Sequence, residues 1–207
     1  MKPIAVIGLS CLFPEADTPK KFWENLLQEK NSCTLATDEN LEADPLRYST
    51  DKKGIPDKFY SSRGGYIKNF SMDPEGFKLP PETIKQLGST FQWPLYTARE
   101  ALLDSGYLNR AKVLAKCGLV LGNLSFPTRE SNHLILPIYQ MALQKLLRKT
   151  LCRPEFSLHS FSTKKDVVWE NSRISGLPAA IVAQSLGLSS CRFAIDSACA
   201  SSLMQLH

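Results

Sequence analysis

Cys199 is the residue whose surroundings offer the clearest chemistry. It follows the apolar run Phe193–Ile195 and stands among small side chains in the stretch Asp196-Ser197-Ala198-Cys199-Ala200-Ser201-Ser202-Leu203. This pattern predicts a strand, a turn and the start of a helix, where the helix dipole stabilises a thiolate. A thiolate with room around it for a substrate is a nucleophile. The same pattern also fits a structural cysteine packed among small residues, and the local residues leave both interpretations open.

The other cysteines and the histidines lack a comparable setting. We expect Cys191 to be a core residue and the four remaining cysteines to be structural, since no Cys-x-x-Cys pair and no zinc-type Cys/His spacing occurs. Those four are Cys11, Cys33, Cys117 and Cys152. We expect the three histidines, His133, His159 and His207, to lie on the surface or in loops. The sequence predicts no metal site and no directly bound cofactor.

Three common nucleotide and hydrolase signatures are absent. The apolar run that ends at Gly8 continues as Leu9-Ser10-Cys11-Leu12, without the further glycines that a bound pyrophosphate requires. No phosphate-binding Gly-x4-Gly-Lys-Ser/Thr loop and no Gly-x-Ser-x-Gly turn occurs.

The elements that must position Cys199 alternate between strands and helices. Short apolar runs predict buried strands at residues 4–8, 117–122 and 191–195. Amphipathic spacing predicts helices between them, and this alternation predicts an α/β layered fold with a parallel sheet.

Local signals set several helix ends. Thr18 and Pro19 begin the first helix, whose apolar face holds Phe22, Trp23, Leu26 and Leu27. A second helix is predicted over 82–87, and a third runs through Tyr96 to a glycine cap at Gly106, with Pro94 near its start. Two more are predicted, one after Pro137 and one from residue 177 to a cap at Gly187. We expect the apolar stripe after Pro137 to pack in the core. Residues 31–81 read as a long irregular insertion of the kind that is often functional.

Composition indicates a globular protein. Hydrophobic residues make up 43% and charged residues 22% of the 207 residues, and the net charge is +5. The basic pairs are dispersed, so we expect no nucleic-acid site. Pro14, Glu15 and Asp17 interrupt the apolar start before a signal peptide or membrane span is complete, which predicts a cytoplasmic location.

The residues around Cys199 resemble the nucleophile motif of β-ketoacyl synthases. Further matches occur in the order that this family has them. They are Ile4–Gly8 with Phe13-Pro14, Phe22–Leu26, Arg63-Gly64-Gly65-Tyr66 with Met72-Asp73-Pro74 and Phe77, and Ala98–Gly106. The resemblance covers essentially the whole chain, and we therefore interpret residues 1–207 as the N-terminal domain of this family.

Two segments indicate a particular branch of this family, and a third segment departs from the family pattern. Phe77–Pro81 and Leu121–Thr128 resemble the ketosynthase domains of polyunsaturated fatty acid synthases and their polyketide synthase-like relatives. Lys85–Trp93 stands where many members have Gln-Gln-Arg, which puts the packing of that helix in question. Chain-length factors, the non-condensing relatives, usually replace the cysteine that this chain retains.

The resemblance implies a thiolase-like duplicated fold, of which this chain is the amino-terminal half. It implies that an acyl group passes from the phosphopantetheine of an acyl carrier protein to Cys199 and then condenses with a malonyl carrier. The family's two catalytic histidines and its glycine-rich oxyanion loop follow the nucleophile, and 207 − 199 = 8 residues follow it here. We therefore expect a truncated synthase that is inactive in condensation and forms a homodimer or pairs with another synthase subunit. The alternative is a non-catalytic fragment that binds an acyl carrier protein or dimerises with a complete synthase.

Overall fold

The structure is a computed structural model, which describes residues 3–37, 45–158 and 168–204. Its contacts divide the chain into two compact units, one of Met1–Asp73 with Tyr96–Leu108 and one of Pro74–Leu95 with Asn109–His207. The α-helices are α1 (Pro19–Leu27), α2 (Pro45–Tyr48), α3 (Pro81–Gln86), α4 (Ser89–Asp104), α5 (Ala111–Leu114), α6 (Arg129–Thr150), α7 (Leu177–Leu186) and α8 (Ser201–Met204). The strands are β1 (Thr34–Leu35), β2 (Arg63–Gly64), β3 (Leu119–Gly122) and β4 (Arg192–Ile195), and 3-10 turns cover Trp169–Ser172 and Ala198–Ala200. None of these described helices is long and apolar enough to cross a membrane.

The first unit begins with an extended segment that is not a strand. The strand predicted over 4–8 is wrong: Ile4, Val6 and Ile7 are 91%, 79% and 63% exposed. A strand requires a neighbouring strand for its backbone hydrogen bonds and a packed layer on each face for its burial, and no described strand pairs with this segment. Instead, the Leu9 backbone N–H donates to Asp104 Oδ2 of α4 at 2.9 Å.

Helix α1 begins where the sequence predicts. Thr18 has extended backbone angles, and its hydroxyl accepts a hydrogen bond from the Lys21 N–H at 3.2 Å. Pro19 occupies the first helical position, where the missing N–H costs nothing. The apolar face of this helix is exposed, and only Asn25 of the helix is buried.

The predicted irregular insertion is largely irregular where it is described. Strands β1 and β2 pair antiparallel over two residues each, with Thr34 opposite Gly64 and Leu35 opposite Arg63. The single turn of α2 is the other regular element there.

The second unit contains a parallel pair of strands. Strand β3 pairs with β4 in the register Leu119↔Arg192 to Gly122↔Ile195. Two of the three predicted strands are therefore confirmed, as is their parallel direction. The burial of residues 119–122 is intermediate, so the pair is less covered than predicted.

The core of the second unit comes mainly from α3, α7 and the start of α4. Ile84, Phe91 and Leu95 are almost completely buried, as are Val182 and Ala183. Lys85–Trp93 therefore presents a well-packed face despite its departure from the family pattern. Helix α7 is capped by Gly187, whose φ of 75° is the left-handed conformation that the sequence predicts there.

Two prolines lie inside helices rather than at their starts. Pro94 is the sixth residue of α4, and Pro137 is the ninth residue of α6. Helix α6 begins at Arg129 because the Thr128 hydroxyl accepts the Ser131 N–H at 3.2 Å. This side-chain cap outweighs the proline as a start signal.

The apolar stripe of α6 is exposed, contrary to the prediction of core packing. Ile138 is 68% and Met141 is 75% exposed, and Tyr139, Leu143 and Leu146 are exposed as well. Helical spacing predicts that such a face is covered, but it does not specify by what, and no described element covers this one.

Candidate functional site

The carboxyl ends of β3 and β4 lie side by side. Gly122 and Ile195 are register partners, and the Asn123 N–H donates to the Ile195 carbonyl at 3.0 Å. The loops that begin at Asn123 and Asp196 therefore leave the same edge of the sheet. This edge is where parallel α/β sheets place their ligands.

Cys199 lies in the second of these loops. It is the middle residue of the 3-10 turn Ala198–Ala200, between β4 and α8, and it is exposed. The structure thus places Cys199 at the predicted strand-to-helix turn and not in the core. Helix α8 is described over the four residues Ser201–Met204.

The turn before Cys199 has an unusual backbone conformation. Ala198 has a φ of 48°, in the left-handed region that alanine rarely adopts. The buried Ser201 hydroxyl accepts the Ser197 N–H at 2.9 Å and donates to the Ala198 carbonyl at 2.8 Å. The Ala198 N–H points to Asp196 Oδ1 at 3.4 Å. Side chains of the motif itself therefore hold the turn that presents Cys199.

The loop after β3 is connected to the same turn. The Ser125 N–H donates to Asp196 Oδ2 at 3.0 Å, and the Asn123 side-chain amide donates to the Ile174 carbonyl. Ser125 also lines an open depression of about 720 Å³ whose other walls are residues 172–177 and Ala180. An open space therefore adjoins the loop that contacts the cysteine turn.

The exposure of the other cysteines differs in part from the sequence prediction. Cys191, predicted to be core, is exposed because it precedes β4 at an uncovered end of the pair; Cys33 and Cys152 are also exposed, and Cys117 is half-buried. Only Cys11 is buried among the six, and burial, with a smaller effect of the Asp17 charge, raises the pKa of its thiol. Exposure alone therefore does not distinguish Cys199.

The histidines are not part of this site in the described residues. His133 lies on α6, half-buried, with its Nε2 atom buried and without a hydrogen-bond partner. The prediction of a surface or loop residue therefore holds only in part, since His133 lies on a helix and keeps partial exposure. His159 and His207 lie outside the described residues.

Asp196, Ser201 and Ser125 lie within the segments that resemble the family, but the sequence pattern predicts no role for them. Aspartate and serine side chains that bond to nearby backbone groups are a known turn signal, which fits the Asp196 and Ser201 contacts. The hydrogen bond between Ser125 and Asp196 joins residues that are 71 positions apart in the sequence, and no local sequence pattern predicts it.

The comparisons with known proteins agree with this architecture. Residues 1–207 match the family model described as the N-terminal domain of β-ketoacyl synthase. One component protein of the polyunsaturated fatty acid synthase of Thraustochytrium sp. is 26% identical over 210 residues, which cover 100% of this chain and 9% of that protein.

Solved structures of ketosynthases are also similar to this chain. The PfaC keto synthase-chain length factor is 39% identical, with a TM-score of 0.84, over 98% of this chain and 22% of that one. An oxazolomycin ketosynthase domain of Streptomyces albus is 22% identical, with a TM-score of 0.64, over 98% of this chain and 30% of that one, and shows the shared fold. This chain thus spans less than a third of each relative.

These matches confirm the predicted resemblance to ketosynthases of polyunsaturated fatty acid and polyketide synthases and the thiolase-like α/β fold class, of which this is the N-terminal half. The chain belongs to the β-ketoacyl synthase family, whose N-terminal domain its 207 residues match.

Proposed function

We propose that this chain carries the acyl-accepting nucleophile of a β-ketoacyl synthase in fatty acid or polyketide biosynthesis, and that Cys199 is that nucleophile. The observation that carries the proposal is the position of Cys199. It is exposed at the turn between a parallel strand and a helix, in a chain that matches the family domain over its whole length.

The acyl donor in this proposal is a thioester on the phosphopantetheine arm of an acyl carrier protein. The Cys199 thiolate attacks the thioester carbonyl, and the carbonyl electrons move to oxygen. The Cys199 backbone N–H is one donor to this oxyanion. When the carbonyl re-forms, the carrier thiolate leaves, and the acyl group remains on the cysteine as a new thioester.

Condensation with a malonyl carrier would follow this transfer. Loss of carbon dioxide from the malonyl group gives a carbanion, which attacks the acyl-cysteine and releases a β-ketoacyl thioester two carbons longer. The family assigns this step to two histidines that follow the nucleophile. We propose that the 207-residue chain performs the acyl transfer and not the condensation.

Acylation measured by intact mass spectrometry tests the proposal. We expect one acyl group per chain after incubation with an acyl carrier thioester or acyl-CoA. Cys199→Ala should abolish this mass increase, whereas Cys191→Ala, which removes another exposed cysteine, should retain it. Addition of a malonyl carrier should give β-ketoacyl product at a rate at least about a hundredfold below that of a complete synthase.

Two results would contradict the proposal. Acylation that persists in Cys199→Ala would show that the cysteine is not the acceptor. A chain that binds the carrier protein but is never acylated would support the alternative function, a non-catalytic carrier-binding or dimerising fragment.

A further inference from the structure

Asp196 connects the two loops that leave the sheet edge. One carboxylate oxygen, Oδ2, accepts the Ser125 N–H at 3.0 Å from the loop after β3. The other, Oδ1, lies 3.4 Å from the Ala198 N–H in the turn that contains Cys199. A single carboxylate therefore spans from a fixed loop to the residue before the cysteine, and hydrogen bonds to an ionised group are stronger than neutral ones.

The turn needs such support because of Ala198. A left-handed conformation costs a residue with a Cβ atom free energy that glycine does not lose, so it persists only when neighbouring contacts hold it. Ser201 holds the turn from the helix side through its bonds to the Ser197 N–H and the Ala198 carbonyl. Asp196 holds it from the strand side.

The loop that carries Ser125 is itself anchored. The Thr128 hydroxyl donates to the Asn171 carbonyl at 3.0 Å. The buried Asn171 side chain accepts the Gly88 N–H at 2.7 Å and donates to the Gln86 carbonyl at 2.9 Å. The Ser125 N–H therefore belongs to a loop fixed against the core of the same unit, which makes it a firm attachment point for Asp196.

We propose that Asp196 is a positioning residue for Cys199: its carboxylate ties the cysteine turn to the Ser125 loop and holds Ala198 in the left-handed conformation that sets the direction of the thiol and the Cys199 N–H. Asp196 acts through the turn and not on the acyl group. This proposal rests on the proposed role of Cys199 as the acyl acceptor.

The test compares acylation rates of Cys199 in four chains: the original, Asp196→Asn, Ala198→Gly and the double variant. An asparagine side chain cannot accept at both positions, so Asp196→Asn should slow acylation about fivefold or more. Glycine adopts a φ of 48° without strain and makes the turn less dependent on the carboxylate. We therefore expect Ala198→Gly in the Asp196→Asn background to restore the rate to within about threefold of the original. If Asp196→Asn slowed acylation only by destabilising the fold, Ala198→Gly would not restore the acylation rate.

Asp104→Asn is the matched control, since it alters another carboxylate that accepts a backbone N–H, that of Leu9. It should leave acylation of Cys199 unchanged. Equal slowing by Asp104→Asn, or an Asp196→Asn rate within twofold of the original, would overturn the proposal.

If the unsubstituted chain is not acylated, the proposed function is wrong, but that result alone does not contradict the positioning role of Asp196. Site-resolved alkylation by iodoacetamide then decides, with the exposed Cys33 and Cys152 as internal standards. Asp196→Asn should change the alkylation rate of Cys199 about threefold or more relative to these standards. An unchanged ratio would overturn the positioning role.

Discussion

Cys191 and Cys199 are both exposed, yet their backbones differ. Cys191 precedes β4, and its carbonyl accepts the Leu119 N–H at 2.8 Å as part of the strand pair. Cys199 lies beyond the strand in a 3-10 turn whose first residue has a left-handed backbone. At the scale of single residues, the setting of the backbone and not solvent exposure marks the candidate nucleophile.

The proposed role of Cys199 rests on a local pattern, which also fits a structural cysteine, and on the family resemblance along the chain, whereas the proposed role of Asp196 follows from neither. The small residues around the cysteine are contiguous in sequence, so a pattern is visible. The Ser125 contact of Asp196 depends on the parallel register of β3 and β4, which a single sequence does not specify.

Cys11 gives a prediction at the same scale. Burial raises the pKa of its thiol above the ordinary value of 9.0. In the native chain at pH 8, we expect iodoacetamide to alkylate Cys11 at least about tenfold more slowly than Cys33 or Cys152, because less thiolate is present and access is reduced. Peptide mass spectrometry measures the three rates, which should converge in urea. A native Cys11 that reacts as fast as Cys33 would contradict its burial.

The raised pKa of the Cys11 thiol also makes the free energy of unfolding depend on pH. Folding favours the protonated Cys11 thiol, so the free energy of unfolding should fall as pH rises above 9.0 towards the raised pKa. Cys11→Ala should flatten this part of the pH dependence in urea titrations.

At the scale of elements, local signals were reliable and non-local ones were not. The Thr18 and Gly187 caps mark helix ends because the bonds involved lie within a few residues. The predicted strand over 4–8 failed because a strand requires a neighbour, and apolar composition does not supply one. The predicted start of α6 after Pro137 failed because the Thr128 cap lies nine residues earlier and a proline inside a helix is tolerated.

Gly118 tests the contact between β3 and β4. A Cβ atom there would lie 2.8 Å from Cys191 Sγ and 2.9 Å from the Cys191 carbonyl oxygen. Gly118→Ala should therefore lower the free energy of unfolding of this unit by about 1–3 kcal/mol, since the backbone contact cannot yield by a side-chain rotation. Urea unfolding measures the change.

Gly176→Ala is the matched control, because no atom lies within 4 Å of its added Cβ and its φ is −89°. It should leave stability within about 0.5 kcal/mol of the original. Equal stability of the two variants would show that the strands are less closely packed than described.

At the scale of the whole molecule, exposed apolar surface is the dominant feature. It includes residues 4–9, the apolar face of α1 and the stripe on α6. Contiguous surfaces of this kind are uncommon on stable monomers and promote association. The sequence identifies these segments as apolar, but its predictions that residues 4–8 and the α6 stripe are buried are wrong, because the sequence of one chain does not reveal what covers them.

We therefore expect the 207-residue chain to self-associate in a concentration-dependent manner. Replacing Ile138 and Leu146 of the α6 stripe by glutamate should lower the weight-average mass in sedimentation equilibrium. The control is Leu46→Glu, which alters an exposed leucine on α2 outside the stripe. A chain that remains monomeric at high concentration would contradict the expected effect of this surface.

The most direct test of the central claim is the site of acylation. The described chain offers four exposed cysteines, Cys33, Cys152, Cys191 and Cys199, to an acyl thioester. Peptide mass spectrometry after brief incubation with an acyl carrier thioester should find the acyl group on Cys199 at about tenfold or more above any of the other three. An acyl group spread evenly over the four, or concentrated on a cysteine other than Cys199, would contradict the assignment of Cys199 as the nucleophile.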